Sequence, residues 1–288
     1  MNNLDRPRCR RRGRLLAGAV CLLALAASAA AQATGADREA RSSEFLTVCG
    51  DSNHLPFSND RYEGFENKIA QLIADELGRP LYYRWWPQTV GFVRNTIRMR
   101  LCDLIMGITS VNELVQNTNP YYRSVYTLVY RSDSGLTLTA LDDPQLKLNQ
   151  LRIGVVAGTA PATLLTRYGL WDQTRSYERA VDPRLYAPAR DAVTDVAAGD
   201  LDVALVWGPI AGYYAARQAV PMTVVPLPGE IESVQLAFNV SMGIRDRETE
   251  WKHELNTLLN RLAPRIQAIL LDYHVPLLDQ ANHPILPE

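Results

Sequence analysis

Histidine is scarce in this chain, and several common catalytic and metal-binding motifs are absent. Only four histidines are present in 288 residues, and none stands at a metal-ligand spacing from another. The motifs G-x-S-x-G, H-E-x-x-H and C-x-x-C are all absent. We interpret the four histidines as surface residues. The sequence therefore predicts no metal site and no resident cofactor, and it favours a protein that is not an enzyme.

The chain also lacks a concentrated excess of positive charge. Residues 1–33 hold six arginines and one aspartate, so residues 34–288 carry 24 basic and 30 acidic side chains, a net charge of −6. Proteins that bind nucleic acids need clustered lysine and arginine to neutralise phosphates. The sequence therefore predicts no nucleic-acid partner.

Only one long apolar run is present, and it lies near the N-terminus. Leu15–Ala27 is too short to span a bilayer, and small residues ending in Ala31-Gln32-Ala33 follow it. The run is preceded by a basic segment containing Arg8, Arg10, Arg11, Arg12 and Arg14. This order is typical of a cleaved secretory signal peptide. We expect residues 1–33 to be removed and the remaining chain to reach the periplasm without a membrane anchor.

Two cysteines, Cys49 and Cys102, remain after that segment. An even number of cysteines in an oxidising compartment favours a disulfide. However, Cys49 ends one predicted strand and Cys102 begins another. If the two strands are parallel neighbours, their offset of four residues corresponds to about 13 Å, beyond the reach of a disulfide. A loop position for Cys102 would allow the bond, so both alternatives stay open.

Strands and helices alternate along the chain in two successive units. The first unit contains predicted strands at 45–49, 81–85, 103–106 and 125–130, with helices at 65–77 and 93–101 between them. The second unit restarts at a strand over 152–156 and continues with helices and strands to 226, before 233–240 returns the chain to the first unit. A long helix containing Pro264, and expected to bend there, follows.

This order predicts a two-lobed α/β clamshell in which the second lobe is inserted into the first. We assign 45–130 plus 234–288 to lobe 1 and 131–233 to lobe 2. Ligands of open α/β sheets lie outside the carboxyl ends of the strands, which here means the cleft between the lobes.

Four short segments, in this order, resemble the type II periplasmic solute-binding proteins. They are Pro56-Phe57, Gly64-Phe65-Glu66, Asn119-Pro120-Tyr121-Tyr122 and Gly158-Thr159. The resemblance runs from about Phe45 to the C-terminal helix. It implies the same clamshell fold that the order of elements predicts.

A narrower resemblance is carried by Asn53–Asn59, Gly64–Ala70, Trp85–Gln88 and Pro120–Ser124. These segments look like the MoxJ and XoxJ type of binding-protein homologue, which is associated with quinoprotein methanol dehydrogenases. The resemblance implies a periplasmic accessory of a dehydrogenase that uses pyrroloquinoline quinone (PQQ), and a cytochrome c is an additional candidate partner. The calcium or lanthanide ion of such a system belongs to the dehydrogenase.

The charges with which related amino-acid receptors hold their ligand are missing. Such a receptor holds the ligand carboxylate with an arginine shortly after the third strand, but Gly107–Glu113 contains none. It holds the ammonium group with an aspartate after a strand of the second lobe, where this chain has Trp207. Amino-acid transport is therefore disfavoured.

Aromatic side chains are expected to line the cleft in place of these charges. An aromatic cleft suits a flat small molecule or the side chains of a partner protein. The candidate residues are Asp51, Phe57, Trp85, Trp86, Thr109, Tyr121, Tyr122, Arg123, Gly158, Thr159 and Trp207. For several of them a structural role is the alternative. Asp51 could form a turn, Gly158-Thr159 could cap a helix rather than bind an anion, Arg123 could anchor the hinge, and one tryptophan could pack a lobe.

Three functions remain open on these observations. The first is an accessory that assists maturation or activation of a methanol dehydrogenase, and the second is the receptor of an ABC transporter for an aromatic or cofactor-like ligand. The third is a cleft enzyme, for which Glu63, Glu66 and Asp51 are the candidate acids. Glu66 is interpreted instead as a first-turn acid at a helix N-terminus.

Overall fold

The computed structural model describes residues 44–109, 113–148, 150–178 and 186–286. The predicted signal peptide at 1–33 lies outside these residues. In the described ranges no helix is both long and apolar enough to cross a membrane.

A first sheet is formed by strands from both ends of the chain. Its order is β2 (Leu81–Trp85), β1 (Leu46–Gly50), β3 (Leu104–Thr109), β9 (Ala237–Ile244) and β4 (Tyr122–Arg131). The first three strands are parallel, whereas β9 runs antiparallel to both β3 and β4. β9 follows β4 after about a hundred residues and pairs with it. The two segments by which the chain passes between the lobes therefore lie side by side. The two-lobed arrangement, with the second unit interrupting the first, is confirmed.

A second sheet shares β4 with the first. Residues Tyr122–Val125 of β4 pair with β9, and Tyr126–Tyr130 pair with β7 (Val203–Trp207). β8 (Met222–Pro226) covers the other edge of β4, while β5 (Ile153–Val156) and β6 (Thr174–Tyr177) continue parallel to β7. The exchange of partners after Val125 therefore marks the passage from one sheet to the next. The residue bounds predicted for the lobes stay a proposal.

Seven helices cover these sheets. They are α1 (Phe65–Leu77), α2 (Phe92–Asn95), α3 (Pro144–Leu148), α4 (Ala160–Arg167), α5 (Pro188–Ala198), α6 (Gly208–Ala215) and α7 (Thr249–Asp272) among the described residues. Two 3₁₀ turns lie at Ile97–Met99 and Trp171–Gln173. The described residues also contain short two-residue strands. Three pairs of them are Asn53–His54 with Ser58–Asn59, Glu230–Ile231 with Val234–Gln235, and Leu277–Leu278 with Pro284–Ile285, while Gln116–Asn117 pairs with β9.

The apolar stripes of α1 and α7 explain how the first sheet is covered. Phe65, Ile69 and Ile73 of α1 are fully buried together with Trp251 and Leu255 of α7. α1 ends at Gly78, whose left-handed backbone (φ 64°) donates its N–H to carbonyls of the last turn, as the sequence predicts. α7 continues through Pro264 as one helix, and the bend expected there stays a prediction.

The predicted helix over 93–101 is wrong in its length. α2 stops at Asn95 because the Thr96 hydroxyl donates to the Phe92 carbonyl and the Thr96 backbone leaves the helical region. A 3₁₀ turn follows, and Leu101 is exposed. Val93 and Ile97 are both buried, as their spacing predicts. They lie in two short helical segments, however, and not in one long helix.

The disulfide between Cys49 and Cys102 is present. β1 and β3 are parallel neighbours, as the argument against the bond assumed. Cys102 nevertheless precedes β3 in a loop, and its Cα lies 5.6 Å from that of Cys49. The loop alternative considered for Cys102 is thus the one that the structure adopts.

Candidate functional site

A cavity of about 600 Å³ opens where the two sheets meet at β4 and β9. The first sheet's loops contribute Asn53, His54, Leu55, Phe57, Gln88, Thr89 and Thr109. The second sheet and its helices contribute Val156, Thr159, Tyr186–Arg190, Leu205–Trp207, Ile210 and Tyr214, and the shared strands contribute Tyr126 and Phe238. Its volume is within the range of small-molecule sites. The cavity therefore lies at the carboxyl ends of parallel strands, as the fold predicts.

Aromatic rings form one wall of the cavity. Trp207 ends β7 and packs edge-on against Tyr126, with ring centroids 5.3 Å apart, and against Phe238 at 5.9 Å. β4 and β7 are antiparallel neighbours with Trp207 opposite Tyr126, so the two rings are adjacent on one face. The three side chains form an apolar wall whose polar groups are the indole N–H and the phenol.

The opposite wall contains His54 and Phe57. The His54 ring lies 4.8 Å from the Phe57 ring, and its Nδ1 is 3.1 Å from Gln88 Oε1. Burial lowers the pKa of His54, while the nearby Asp51 carboxylate and the Gln88 contact oppose that shift. His54 is therefore a neutral hydrogen-bonding group at neutral pH.

The cavity carries little charge. Among the described residues that line it there is no aspartate or glutamate, and Arg190 supplies the single arginine. The Arg190 guanidinium already pairs with Asp191 at 2.8 Å and is partly exposed. Polar contacts can also come from the hydroxyl groups of Thr109, Thr159 and Tyr214. The described lining residues therefore hold no pair of positive and negative groups for a zwitterion, and they suit an aromatic or weakly charged group.

Four of the predicted cleft residues line this cavity. Phe57, Thr109, Thr159 and Trp207 converge there from four separate segments. Thr159 also begins α4 and donates its hydroxyl to the Val156 carbonyl. That these residues contact a ligand stays a prediction.

Asp51 lies behind the wall, where it organises a turn. Its carboxylate accepts the backbone N–H groups of Asn53 (2.9 Å) and Gln88 (2.7 Å), and the residue is 1% exposed. Because both oxygens are engaged with the backbone, Asp51 positions Asn53 and Gln88 rather than reaching the cavity. The turn-forming alternative is the one observed.

The predicted aromatics Trp85, Trp86, Tyr121 and Tyr122 also lie away from the cavity. Trp85 stacks on Tyr83 along the outer strand β2, and Trp86 is 41% exposed on the surface. Tyr122 is buried in the first sheet's core, and the Tyr121 hydroxyl accepts the Gly107 N–H. None of these four side chains is among the residues that line the cavity.

Arg123 and Gly158 have structural contacts instead. The Arg123 guanidinium donates to Oδ1 of Asn282 and of Asn239, which ties β4 to the C-terminal segment beside the crossing strands. Gly158 has a positive φ of 70° and lies beside a shallow depression next to Trp171. The hinge-anchor alternative describes Arg123, and the turn alternative describes Gly158.

Neither candidate acid on α1 or its preceding loop reaches the cavity. The exposed Glu63 carboxylate accepts from Asn59 and Arg61, and the Asn59 contact lowers its pKa. Glu66 is 4% exposed, and burial raises its pKa to about 8. Glu66 does lie in the first turn of α1, as predicted. Burial favours its protonated form, so a stabilising interaction of its negative charge with the helix N-terminus stays a prediction.

Several lining residues were not predicted from the sequence. His54 was interpreted as a surface residue, and Gln88, Tyr126, Tyr214 and Phe238 were not singled out. His54 and Gln88 lie within segments that carry the MoxJ-like resemblance, which is a signal for both. Tyr126 and Phe238 converge only through the strand pairing of β4 with β7 and β9.

Comparison with known proteins agrees with this architecture. Residues 108–275 match the family "Bacterial extracellular solute-binding protein". The protein MoxJ of Paracoccus denitrificans is 30% identical over 250 residues, which cover 81% of this chain and 89% of MoxJ.

Two solved structures share both sequence and fold with the chain. The periplasmic binding protein XoxJ from Methylobacterium extorquens AM1 is 44% identical, with a TM-score of 0.69 over 82% of this chain and 100% of XoxJ. MxaJ from Methlophaga aminisulfidivorans MPT is 27% identical, with a TM-score of 0.71 over 81% of this chain and 100% of MxaJ. The chain therefore belongs to the bacterial extracellular solute-binding protein family and, within it, to the MoxJ and XoxJ type of binding protein.

Proposed function

We propose that the protein is a non-catalytic periplasmic accessory that docks on a quinoprotein methanol dehydrogenase and assists its maturation or activation. The observation that carries the proposal is the likeness to MoxJ and XoxJ over most of the chain. The cofactor PQQ and the calcium or lanthanide ion belong to the dehydrogenase. A cytochrome c is a further candidate partner.

The chemistry of the cavity supports a binding role over a catalytic one. No carboxylate is among its described lining residues, and His54 is engaged with Gln88. General acid–base catalysis needs a titrating group within reach of the substrate. The aromatic wall of Trp207, Tyr126 and Phe238 instead has the character of a protein-binding hot spot.

Helix α6 supports a partner-docking role over cargo transport. Tyr213 of α6 is buried in the core around the first sheet, while Ala211 and Ala215 are buried in the core around the second. The Tyr214 hydroxyl donates to the Leu55 carbonyl at 3.1 Å, across the cavity. A transport receptor undergoes a wide opening of its lobes. Because α6 packs in both cores, such an opening would break its contacts with one of them.

The experiment is co-purification combined with an activity assay. The dehydrogenase is expressed with and without this protein, and its PQQ content, metal content and methanol-dependent dye reduction are measured. The proposal expects association and a rise in cofactor occupancy or activity. Unchanged occupancy and activity, together with no association, would refute it.

A second function, the receptor of an ABC transporter, is favoured by the size of the cavity. A thermal-shift screen with PQQ and aromatic acids tests it, since a ligand at 100 times its Kd adds about 2.7 kcal/mol of stability. Trp207→Ala should abolish such a shift. Trp171→Ala is the matched control, because Trp171 is 44% exposed and lies outside the cavity wall. Saturable ligand binding without dehydrogenase association would favour the receptor.

A further inference from the structure

A basic and apolar surface lies on the outer side of the first sheet, away from the cavity. The 25 residues from Gly78 to Cys102 contain five arginines and no aspartate or glutamate, in a chain whose residues 34–288 carry a net charge of −6. In the described residues none of these five arginines forms an ion pair. The surface side chains concerned, called here the arginine edge, are Tyr82, Arg84, Arg94, Arg98, Met99, Arg100 and Leu101.

Strand register and the disulfide bring the two parts of the arginine edge together. Arg84 stands opposite Cys49 in the pairing of β2 with β1, and Cys49 is bonded to Cys102. Residues 98–101 therefore lie close to the face of β2 that carries Tyr82 and Arg84. The buried cluster of Cys49, Phe92, Val93, Ile97 and Cys102 fixes α2 and the following 3₁₀ turn against this face.

The nearest acid along the chain is already neutralised within the fold. Asp103 is 4% exposed, accepts the Thr47 N–H and lies 3.6 Å from the Arg245 guanidinium. The Asp103 carboxylate therefore faces Arg245 in the interior of the fold. Arg84, Arg94, Arg98 and Arg100 are exposed and form no ion pair with the described residues, and guanidinium groups suit carboxylates.

The arginine edge is also unusually apolar for a charged surface. Tyr82 is 56% exposed, Met99 65% and Leu101 43%, and the neighbouring Trp86 and Val90 are exposed as well. Five of the eleven large hydrophobic side chains exposed in the described residues thus fall within Gly78–Cys102. Contiguous exposed apolar surface mixed with arginine and aromatic residues is typical of protein interfaces.

The backbone beside it is open to a polypeptide. β2 pairs only with β1, so its outer edge has unpaired N–H and C=O groups in the described part of the chain. An unprotected edge strand can accept hydrogen bonds from another chain. A lipid surface could satisfy the arginines but has no strand to pair with β2, and the net charge of −6 opposes approach to an anionic bilayer.

We propose that the arginine edge is a docking surface for an acidic face of a partner protein. The proposal is independent of the cavity. If the partner is the methanol dehydrogenase, the arginine edge is the surface by which this protein docks on it. The proposal of that particular partner rests on the proposed function.

Charge reversal at matched positions tests the proposal. The edge variant is Arg84→Glu/Arg94→Glu/Arg98→Glu, and the control variant is Lys68→Glu/Lys147→Glu/Arg265→Glu. All six residues are exposed and each variant changes the net charge by the same amount. Binding to poly-L-glutamate, to purified methanol dehydrogenase and to phosphatidylglycerol vesicles is measured at low and moderate salt, after thermal melts show that both variants are folded.

The proposal expects salt-dependent binding of wild type to poly-L-glutamate, weakened about tenfold or more in the edge variant and far less in the control. Equal weakening in both variants, no binding of poly-L-glutamate, tighter binding to vesicles, or self-association lost only in the edge variant would overturn it. If wild type binds the dehydrogenase and the edge variant binds equally well, the docking surface is wrong while the proposed function stands. If only poly-L-glutamate binds, the surface stands and the proposed function fails.

Discussion

The carboxyl group of Glu66 is buried between α1 and the first sheet. Its Oε1 has no hydrogen-bond partner among the described residues. The phenols of Tyr121 and Tyr122 lie near it, and burial raises the pKa of both of them. Burial also raises the pKa of Glu66 from its ordinary value of 4.5 to about 8. At neutral pH the side chain is therefore held in its protonated form.

Replacing Glu66 tests this account through the pH dependence of stability. The folded chain keeps a proton that the unfolded chain releases, so the stability contributed by Glu66 is fully present below pH 4.5 and is lost as pH rises through about 8. The loss over this window is on the order of 5 kcal/mol. Glu66→Gln should flatten the fall in the free energy of unfolding, measured with denaturant at pH 5, 6.5 and 8. Glu63→Gln is the exposed control, and equal pH profiles for wild type and Glu66→Gln would contradict the account.

Gly107 adjoins the same carboxyl group. Its φ is 70°, and a Cβ at this position would lie 2.4 Å from Glu66 Oε1. Gly107→Ala should therefore destabilise the protein by about 2–3 kcal/mol, from backbone strain and crowding together. Gly78→Ala is the matched control, because Gly78 has a φ of 64° with nothing within 4 Å of the added Cβ. Equal losses in thermal melts would mean that Glu66 does not crowd position 107.

At the scale of elements, the disulfide joins β1 to the loop before β3. The bonded cysteines are separated by 53 residues in sequence. In the chain-entropy description a bond of this span stabilises by about 4 kcal/mol. Cys49→Ala/Cys102→Ala should lower the free energy of unfolding by about 2–4 kcal/mol in denaturant titrations. An unchanged unfolding midpoint would show that the buried cluster of Phe92, Val93 and Ile97 holds the loop before β3 in place without the disulfide.

Pro264 interrupts the hydrogen bonding of α7 from within. The residue is exposed, and it cannot donate to the Asn260 carbonyl four residues earlier. Pro264→Ala should therefore raise the free energy of unfolding by about 1–3 kcal/mol. Circular dichroism melts check it, and a lower melting temperature would show that the proline relieves a clash within α7.

Elements with strong local signals were predictable from the sequence. α1 was recognised from its apolar spacing and Gly78, and β1, β2 and β5 from short apolar runs. β6 was missed because Thr174–Tyr177 is a polar edge strand with no fully buried residue. α2 was predicted too long because the Thr96 hydroxyl bond to Phe92 competes with the helix.

The site was only partly predictable, because side-chain direction depends on tertiary pairing. Trp207 was identified from its position at a strand end. Trp85 and Trp86 were expected in the cleft, but they lie at and just after the end of the outermost strand β2 and do not line the cavity. Residues such as Phe238 reach the wall through the pairing of distant strands, which local patterns do not contain.

At the scale of the whole molecule, both cores meet on α6. A Cβ on Gly212 would lie 1.8 Å from the His274 carbonyl oxygen, so α6 approaches the segment after α7 very closely. Tyr213 stacks on Tyr273 with ring centroids 5.7 Å apart, and the Arg217 guanidinium lies 3.5 Å from the Tyr213 ring centroid. The molecule thus has an aromatic cavity and, separately, an arginine-rich edge.

The most direct test of the central claim is the binding of residues 34–288 to purified quinoprotein methanol dehydrogenase, measured by titration calorimetry. The account predicts saturable binding with a Kd of about 1 µM or tighter, as expected of a specific interface. No heat of binding with both proteins at roughly 50 µM, where such an affinity would saturate, would contradict the assignment of this protein as a dehydrogenase partner.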